Sequence, residues 1–196
     1  SLIFILIILI ADLINYLRHY FSHKLPLLWD VHEFHHSATE MTIFSNFRKD
    51  HLAGILLFPF TLPFEALTGL LINEYISQGY LIPLYIFLID SLVTVSATFF
   101  GHSSLKIIYP KPLSNFLMSP ALHWLHHSSN EEHYDCNFGE KFVFWDKIFN
   151  TYLDESLINE IKGFGVPGTQ YNKHHPLFSY LILPVLKVSK RVRKFL

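Results

Sequence analysis

Two long apolar segments, residues 52–72 and 81–100, constrain the fold of this chain more than any other feature. Each has about the 20 residues that an α-helix needs to cross the hydrocarbon core of a membrane. Residues 73–80 form a short, more polar connection between them. We therefore predict a transmembrane helical hairpin, with Pro59 and Pro63 kinking or breaking the helix of its first leg.

A third apolar run opens the sequence at residues 1–11, and polar side chains follow at helical spacing up to about residue 22. Because the run lacks the basic start and the cleavage site of a signal peptide, we interpret 1–22 as a helix that leaves the membrane at its C-terminal end. The sequence begins inside this run, so we expect the N-terminus to be truncated. A shorter apolar stretch, 176–188, is expected to lie in the membrane interface.

The distribution of charge predicts the topology. All 15 Lys and Arg residues lie outside the hairpin and its tip, so the positive-inside rule places the histidine-rich segments in the cytoplasm and the tip on the other side. Only 16% of the residues are charged, against roughly 25% in soluble domains. We predict one all-α integral membrane domain over 1–196, with a transmembrane hairpin and a cytoplasmic, histidine-rich helical cap. A soluble protein with two buried core helices is the alternative, and it explains the charge asymmetry less well.

The first of three histidine clusters is His19-x3-His23. Residues four apart share one helix face, so both imidazoles can reach one metal ion. Asp12 and Tyr16 continue the same stripe toward the membrane. A carboxylate inside an apolar helix is costly and usually functional, so Asp12 is a candidate ligand or a hydrogen-bond acceptor for a ligand.

The second and third clusters repeat one pattern, HxxHH, at residues 32–36 and 123–127. Adjacent histidines on a helix are turned by about 100°, so they can point at two different metal ions. Eight imidazoles exceed the four ligands of one tetrahedral zinc ion, which favours two metals; surface histidines or a pH sensor are the alternative. Imidazole suits iron, copper, nickel and zinc, and a redox-active pair beside a membrane suggests oxygen chemistry on lipid. The predicted ligands are His19, His23, His32, His35, His36, His123, His126 and His127.

The remaining histidines are less clearly defined. His102, just after the second leg of the hairpin, is predicted as a ninth ligand, with a satisfied interfacial histidine as the alternative. His133 is either an outer hydrogen-bond partner of the ligands or part of a solvated loop. His51 is interpreted as interfacial polarity, and the pair at 174–175 as a loop without ligands.

Two composition features exclude other classes. The single cysteine, Cys136, excludes an intrachain disulfide framework and a Cys-based zinc cluster, and we expect it to be a small buried residue. A net charge of −1 argues against nucleic acid as a partner, because phosphate binding needs a basic excess.

Taken in order, these residues resemble the fatty acid hydroxylase/sterol desaturase superfamily of membrane di-iron enzymes over about residues 10–155. The matching motifs are Asp12…Tyr16…His19-x3-His23; Leu25-Pro26-Leu27-Leu28-Trp29 before His32-x2-His35-His36-Ser37; Arg48 and His51; His102-Ser103-Ser104; Ser119-Pro120-Ala121-Leu122-His123-x2-His126-His127-Ser128; Asp135-Cys136-Asn137-Phe138-Gly139; and Trp145-Asp146-Lys147-Ile148-Phe149-Asn150-Thr151-Tyr152. The chain departs from the family pattern at Ser104, where Asn is more common, and at Asn150, where Gly is common. We expect Asn150 to preserve the turn, since Asn tolerates left-handed geometry.

The resemblance implies a site of two iron ions held by the eight box histidines, with His102 at the position of an additional histidine and Asn137 at a polar position after the last box, where it either contacts metal or caps a turn. The candidate outer partners of the ligands are Asp12, Tyr16, His133 and Asn137. Other divalent metals such as zinc are possible in a purified sample. The resemblance also implies hydroxylation or desaturation of a lipid-like apolar substrate, with O2 and with electrons from a separate donor of cytochrome b5 or ferredoxin type. A membrane metal-binding or transport protein is the alternative, but a transporter would be expected to place its ligands in the middle of the spans.

A lipid can reach such a site only through an apolar passage from the bilayer. We expect the hairpin legs to form it, and the candidate lining residues are Phe58, Phe60, Phe64, Phe87, Phe99 and Phe100. For any single phenylalanine, contact with lipid or a neighbouring helix is the alternative.

Overall fold

A computed structural model describes residues 2–48 and 51–194, apart from the side chain of His51, so the role predicted for that side chain lies outside the described part of the chain. The architecture is helical. The helices are α1 (Leu2–Lys24), α2 (Pro26–His36), α3 (His51–Ser77), α4 (Ile82–Gly101), α5 (Pro120–His126), α6 (Phe144–Ile148), α7 (Pro176–Leu181) and α8 (Leu183–Val192). Short 3₁₀ turns span Ile43–Phe47, Leu113–Asn115, Glu131–His133, Glu155–Glu160 and Tyr171–Lys173, and within the described residues β-structure is limited to two isolated bridges.

In the part of the chain that the structure describes, three helices are long and apolar enough to cross a membrane, over Leu2–Lys24, Leu52–Ser77 and Ile82–Gly101. The predicted hairpin is confirmed as α3 and α4, joined by a turn in which Gly79 has a φ of 83°. α3 is longer than the predicted leg, and it continues as one helix through Pro59 and Pro63. Large apolar side chains cover its outer surface, with Phe60 78% exposed, as expected of a helix that faces lipid.

The cap is built from α2, α5 and the loops that follow them. Ser119 starts α5 because its hydroxyl accepts a hydrogen bond from the backbone N–H of Leu122 and Pro120 occupies the first turn. Behind α5 lies a small apolar core that also contains Cys136, which confirms the burial expected for that residue. The core members are Met118, Ala121, Leu122, Leu125, Cys136, Val143 and Ile158.

Long-range polar contacts hold the cap against the spans. Asp90, near the middle of α4, forms an ion pair with Lys141, which is itself buried. A carboxylate at this depth needs such a partner, since an unpaired charge in hydrocarbon is costly. The loop that carries Lys141 is therefore fixed to the transmembrane hairpin.

The C-terminal apolar stretch forms two short helices rather than one. The break falls at Ile182, before Pro184 in the first turn of α8. Lys187 and Arg191 of α8 form ion pairs with Glu33 and Asp30 of α2, the helix that carries the second histidine cluster. α8 thus supports α2 from the side opposite to the histidines.

Candidate metal centre

All nine histidines predicted as ligands come together, although they lie on four different helices or at their ends. Within each of two groups, one nitrogen of every imidazole lies within 4.8 Å of those of the other members. The first group is His19, His23, His32, His36 and His126, and the second is His35, His102, His123 and His127.

The two groups are direct neighbours. Consecutive side chains on a helix point about 100° apart. As this predicts, His35 and His36 belong to different groups, and so do His126 and His127. The rings of His36 and His127 stack across the boundary with their centres 4.3 Å apart. Two ions held by these groups would therefore share one compact site.

The separations between imidazole nitrogens fit metal ligands. In the second group the Nε2 atoms of His35, His102, His123 and His127 follow one another at 3.1 Å. In the first group His36 Nε2 lies 3.1 Å from that of His23 and 3.2 Å from that of His32. With metal–nitrogen bonds of about 2.0–2.1 Å, adjacent ligands lie about 3.0 Å apart in an octahedron and about 3.4 Å apart in a tetrahedron.

Hydrogen bonds to backbone carbonyls orient three of these rings. His19 Nδ1 lies 2.9 Å from the carbonyl of Phe138, His126 Nδ1 lies 2.8 Å from that of Cys136, and His102 Nδ1 lies 2.9 Å from that of Thr98. A carbonyl only accepts, so each Nδ1 carries the hydrogen and each Nε2 of the neutral ring presents a lone pair.

A bound cation satisfies these imidazole nitrogens better than hydrogen bonds between the rings do. An imidazole Nε2 offers either one hydrogen or one lone pair, so His102 and His123, each with two Nε2 neighbours, cannot form good hydrogen bonds with both. His126 Nε2 is buried without a hydrogen-bond partner among the described residues. A metal ion between the rings would satisfy these lone pairs, since buried polar atoms require partners.

Burial also keeps the cap histidines neutral. The pKa values of His35, His36, His123 and His127 are lowered well below the usual range of histidine. Desolvation is the largest cause, and the neighbouring imidazoles lower these pKa values further. Desolvation lowers the pKa of His126 to about 3. These imidazoles are therefore unprotonated at neutral pH, which is the form that binds metal.

The candidate outer partners of the ligands form other contacts in the structure. Asp12 is buried, but its carboxylate accepts a hydrogen bond from the indole of Trp145 (3.0 Å) rather than from an imidazole, because it lies two helical turns below His19. Asn137 bonds the backbone of Leu122 and Leu153 instead of facing the histidines, so it joins α5 to the loop behind it.

The other two outer candidates have structural contacts as well. Tyr16 is buried one turn before His19, and its hydroxyl is hydrogen-bonded to Thr151 at 2.7 Å. His133 is buried rather than solvated, and its Nδ1 lies 3.0 Å from the hydroxyl of Ser128. The pair at 174–175 is exposed and outside both groups, in agreement with the prediction.

Sequence reasoning missed the segment that does support the ligands, residues 135–139. The carbonyls of Cys136 and Phe138 in this segment accept from His126 and His19. Asp135 and Asn137 have φ angles of 60° and 51°, a left-handed conformation that Asp and Asn tolerate better than most residues. Because left-handed residues alternate with others, the carbonyls of Cys136 and Phe138 point at the imidazoles. The sequence signal for this segment was the Asp-Cys-Asn-Phe-Gly motif.

Asp146 holds this segment from behind. Its carboxylate accepts from the backbone N–H groups of Phe138 (2.7 Å) and Gly139 (2.9 Å) and from the hydroxyl of Thr151 (2.7 Å), to which Tyr16 is bonded in turn. Burial raises the pKa of Asp146 to about 6, so the carboxyl group is largely ionised at pH 7. Asn150 has a φ of 56°, which confirms the turn expected where the family often has Gly.

A cavity of about 300 Å³ joins the histidines to the membrane helices. Among the described residues it is lined by members of both groups (His19, His32, His35, His102 and His123), by small residues of α3 and α4 (Ala53, Gly54, Ala97, Thr98 and Gly101), and by Arg18, Ser22, Asn46, Met118, Ser119 and Glu140. The prediction of a phenylalanine lining was therefore wrong. Phe58, Phe60, Phe87 and Phe100 are about half exposed or more on the outer surface of the hairpin, because only small side chains leave room next to the histidines.

A second cavity of about 490 Å³ lies on another side of the histidines. His23, His36, His126 and His127 line it, together with Trp29, Ser128, Glu131, Tyr134, Asp135, Gly165, Val166 and Pro167. Both groups are thus accessible from two directions, one bordered by membrane helices and one by the loops of the cap.

Comparison with known proteins agrees with this geometry. The sequence model of the fatty acid hydroxylase family matches residues 4–151, which include all nine clustered histidines. The chain belongs to the fatty acid hydroxylase family. It is 30% identical over 144 residues to alkylglycerol monooxygenase of Caenorhabditis elegans, an alignment that covers 74% of this chain and 26% of that protein.

Two further members of this family are similar over comparable lengths. Human alkylglycerol monooxygenase is 26% identical over 180 residues, covering 86% of this chain and 35% of that enzyme, and the ornithine lipid hydroxylase OlsE of Rhizobium tropici is 28% identical over 145 residues, covering 74% and 40%. The chain thus spans between about a quarter and two fifths of these relatives' lengths. No solved structure matches it.

Proposed function

We propose that this chain is the catalytic membrane domain of a di-iron oxygenase that hydroxylates or desaturates a C–H bond of a lipid, using O2 and electrons from a separate protein. One observation carries the proposal: nine buried or half-buried histidines form two adjoining groups beside a cavity that small residues of α3 and α4 also line. Membership of the fatty acid hydroxylase family supports the same reaction class.

In this proposal the first group holds one iron ion and the second group holds the other. When bound, the iron pair supplies the activation of O2 that an unactivated C–H bond requires. The chain's own residues orient the ligands: the carbonyls of Cys136, Phe138 and Thr98 keep the imidazole Nε2 atoms turned toward the metals.

The cavity determines which atoms of a substrate approach the site. Its lining by the small residues Ala53, Ala97 and Gly101 leaves room for a narrow alkyl chain, and a bound chain would displace water from the space beside the histidines. The relatives named after alkylglycerol and ornithine lipid suggest a substrate with a polar head and an alkyl chain.

Electrons would arrive from the opposite side. The second cavity exposes His36 and His126 to the cap surface, so we propose that a donor of cytochrome b5 or ferredoxin type docks there, on the cytoplasmic face. A metal transporter is less consistent with this arrangement, because the histidines lie beyond or at the ends of the spans rather than in the middle of a pathway.

The test is metal analysis of protein purified without oxygen. We expect two iron atoms per chain in the wild type and at most one in His126→Ala and in His102→Ala, which remove one ligand from each group. His175→Ala, at an exposed histidine outside both groups, is the matched control and should retain two. A single zinc ion that none of these substitutions removes would contradict the proposal.

Activity provides the second arm of the test. Lipid extracts from cells that express the wild type should contain a species with one oxygen atom more or two hydrogen atoms fewer than its precursor, and His126→Ala cells should lack it. Full iron occupancy with no such species in any extract would argue for a metal-binding protein without oxygenase activity.

A further inference from the structure

Most polar groups of the cavity beside the histidines already have partners. Arg18 and Glu140 form an ion pair across it at 3.5 Å. The hydroxyl of Ser22 donates to the carbonyl of Arg18, and that of Thr98 donates to the carbonyl of Thr94, both within their own helices. Each of these groups therefore has a partner within the protein.

Ser119 and Asn46 complete the set of polar side chains, apart from the histidines, that line the cavity. Ser119 caps α5 and donates to Glu155, so it too is satisfied. Asn46 is different: it is 4% exposed, and its Oδ1 atom has no hydrogen-bond partner among the described residues. A buried amide oxygen without a partner is unusual, because nearly all such groups are hydrogen-bonded in native proteins.

The backbone around Asn46 is held firmly. Thr42 and Ser45 form a capping box at the start of the 3₁₀ turn Ile43–Phe47, and Ser45 also donates to the carbonyl of Glu40 at 2.8 Å. After the turn, the guanidinium of Arg48 donates to the carbonyl of Phe34 in α2 at 3.2 Å. The turn is thereby fixed to the helix that carries three of the histidines, so the backbone that carries the Asn46 amide is held beside the cavity.

We infer that Asn46 binds an O–H group of the substrate, which makes the preferred substrate an amphiphile with a hydroxyl close to the C–H bond that reacts. This inference rests on the proposed function, since it assigns a ligand to the same cavity. His32 and His35 line the cavity with Asn46 and belong to different groups, so a hydroxyl held by the amide keeps the neighbouring carbons beside both. A hydrocarbon chain without a donor would leave the Asn46 oxygen unpaired when it displaces water, and would therefore bind more weakly.

The experiment compares two probes that differ by one hydrogen-bond donor, hexadecan-1-ol and its methyl ether. Binding of tritiated hexadecan-1-ol to the purified, metal-loaded full chain is measured in a scintillation proximity assay, and each unlabelled probe competes for it. We expect the wild type to prefer the alcohol by about tenfold, the value of one good hydrogen bond in a buried site. Asn46→Leu should abolish this preference by weakening the alcohol while leaving the ether unchanged.

Asn73→Leu is the matched control, because Asn73 is an exposed asparagine near the tip end of α3 and should retain the tenfold preference. A second readout is thermal unfolding without ligand. Replacing an unpartnered buried amide by an apolar side chain of similar size should leave the Tm of Asn46→Leu equal to or above that of the wild type.

The outcomes separate this inference from the proposed function. Equal affinity of the wild type for alcohol and ether, a preserved preference in Asn46→Leu, or a large loss of Tm in that variant would each overturn the role of Asn46. Binding that follows the expected pattern in a protein that never oxidises any probe would support the subsite and count against the oxygenase.

Discussion

At the scale of single residues, backbone carbonyls orient three of the predicted ligands, His19, His102 and His126. His19 and His126 both donate to the short segment 135–139, whose shape depends on left-handed residues and on the bonds that Asp146 accepts. Partners of this kind fix the ring and its tautomer, and their loss commonly lowers metal affinity by about 10–100-fold. Asp146 therefore controls the site without touching an imidazole.

Asp146→Asn tests this arrangement. The carboxylate accepts three hydrogen bonds, whereas an asparagine has one acceptor oxygen, so its amino group would face a backbone N–H donor. We expect iron affinity, measured by competition with a chelator of known affinity, to fall about 10–100-fold. Asp154→Asn, at an exposed aspartate that caps a 3₁₀ turn and accepts from the hydroxyl of Tyr152, should bind iron like the wild type. Unchanged affinity in Asp146→Asn would show that the segment keeps its shape without the carboxylate.

At the scale of helices, α3 and α4 have two different surfaces. Their outer faces carry large apolar side chains that contact lipid, and their ends near the cap carry small ones that leave the cavity open. Gly101 shows how tight this end is, since an added Cβ would lie 3.2 Å from the ring of His123. Gly54 faces open space on the same cavity, which makes it the position where size can be changed without moving a ligand.

Gly54→Leu should therefore narrow the passage while the histidines stay in place. We expect kcat/KM for a long-chain lipid to fall by about tenfold, with iron content unchanged. Gly69→Leu is the matched control, because Gly69 also faces open space on α3 but does not line the cavity among the described residues. Equal activity of the two variants would mean that substrates reach the histidines by another route.

At the scale of the whole molecule, the cap and the tip of the hairpin lie at opposite ends of the spans. The cap is joined to the spans by the Asp90–Lys141 ion pair and to the C-terminal helix by the pairs of Asp30 and Glu33. We predict that the cap lies on the cytoplasmic side of the membrane, because the cap and the tail carry positive charges and the tip lacks them.

Cysteine labelling tests that orientation. Cys136 is buried and its thiol pKa is raised to about 12 by burial, so it should react slowly with maleimides and leave a low background. Ser77→Cys, at the tip end of α3, should be labelled in intact cells by a reagent that cannot cross membranes. Ser156→Cys, in the exposed part of the cap, should be labelled only after the cells are permeabilised, and the reverse result would refute the predicted topology.

The sequence by itself determined the features that depend on local periodicity. Apolar runs of membrane length predicted α3 and α4, and a shorter apolar run followed by polar residues at helical spacing predicted α1. The spacings HxxxH and HxxHH determined which imidazoles share a helix face, because an α-helix has 3.6 residues per turn. The tertiary structure alone decided how those faces meet: that His102 joins the second group, that Asp12 pairs with Trp145, that small residues rather than phenylalanines line the cavity, and that Asn46 lies in it. Each of these depends on contacts between distant segments, and packing of the helices against one another, rather than any spacing along the chain, determines which side chains are brought together.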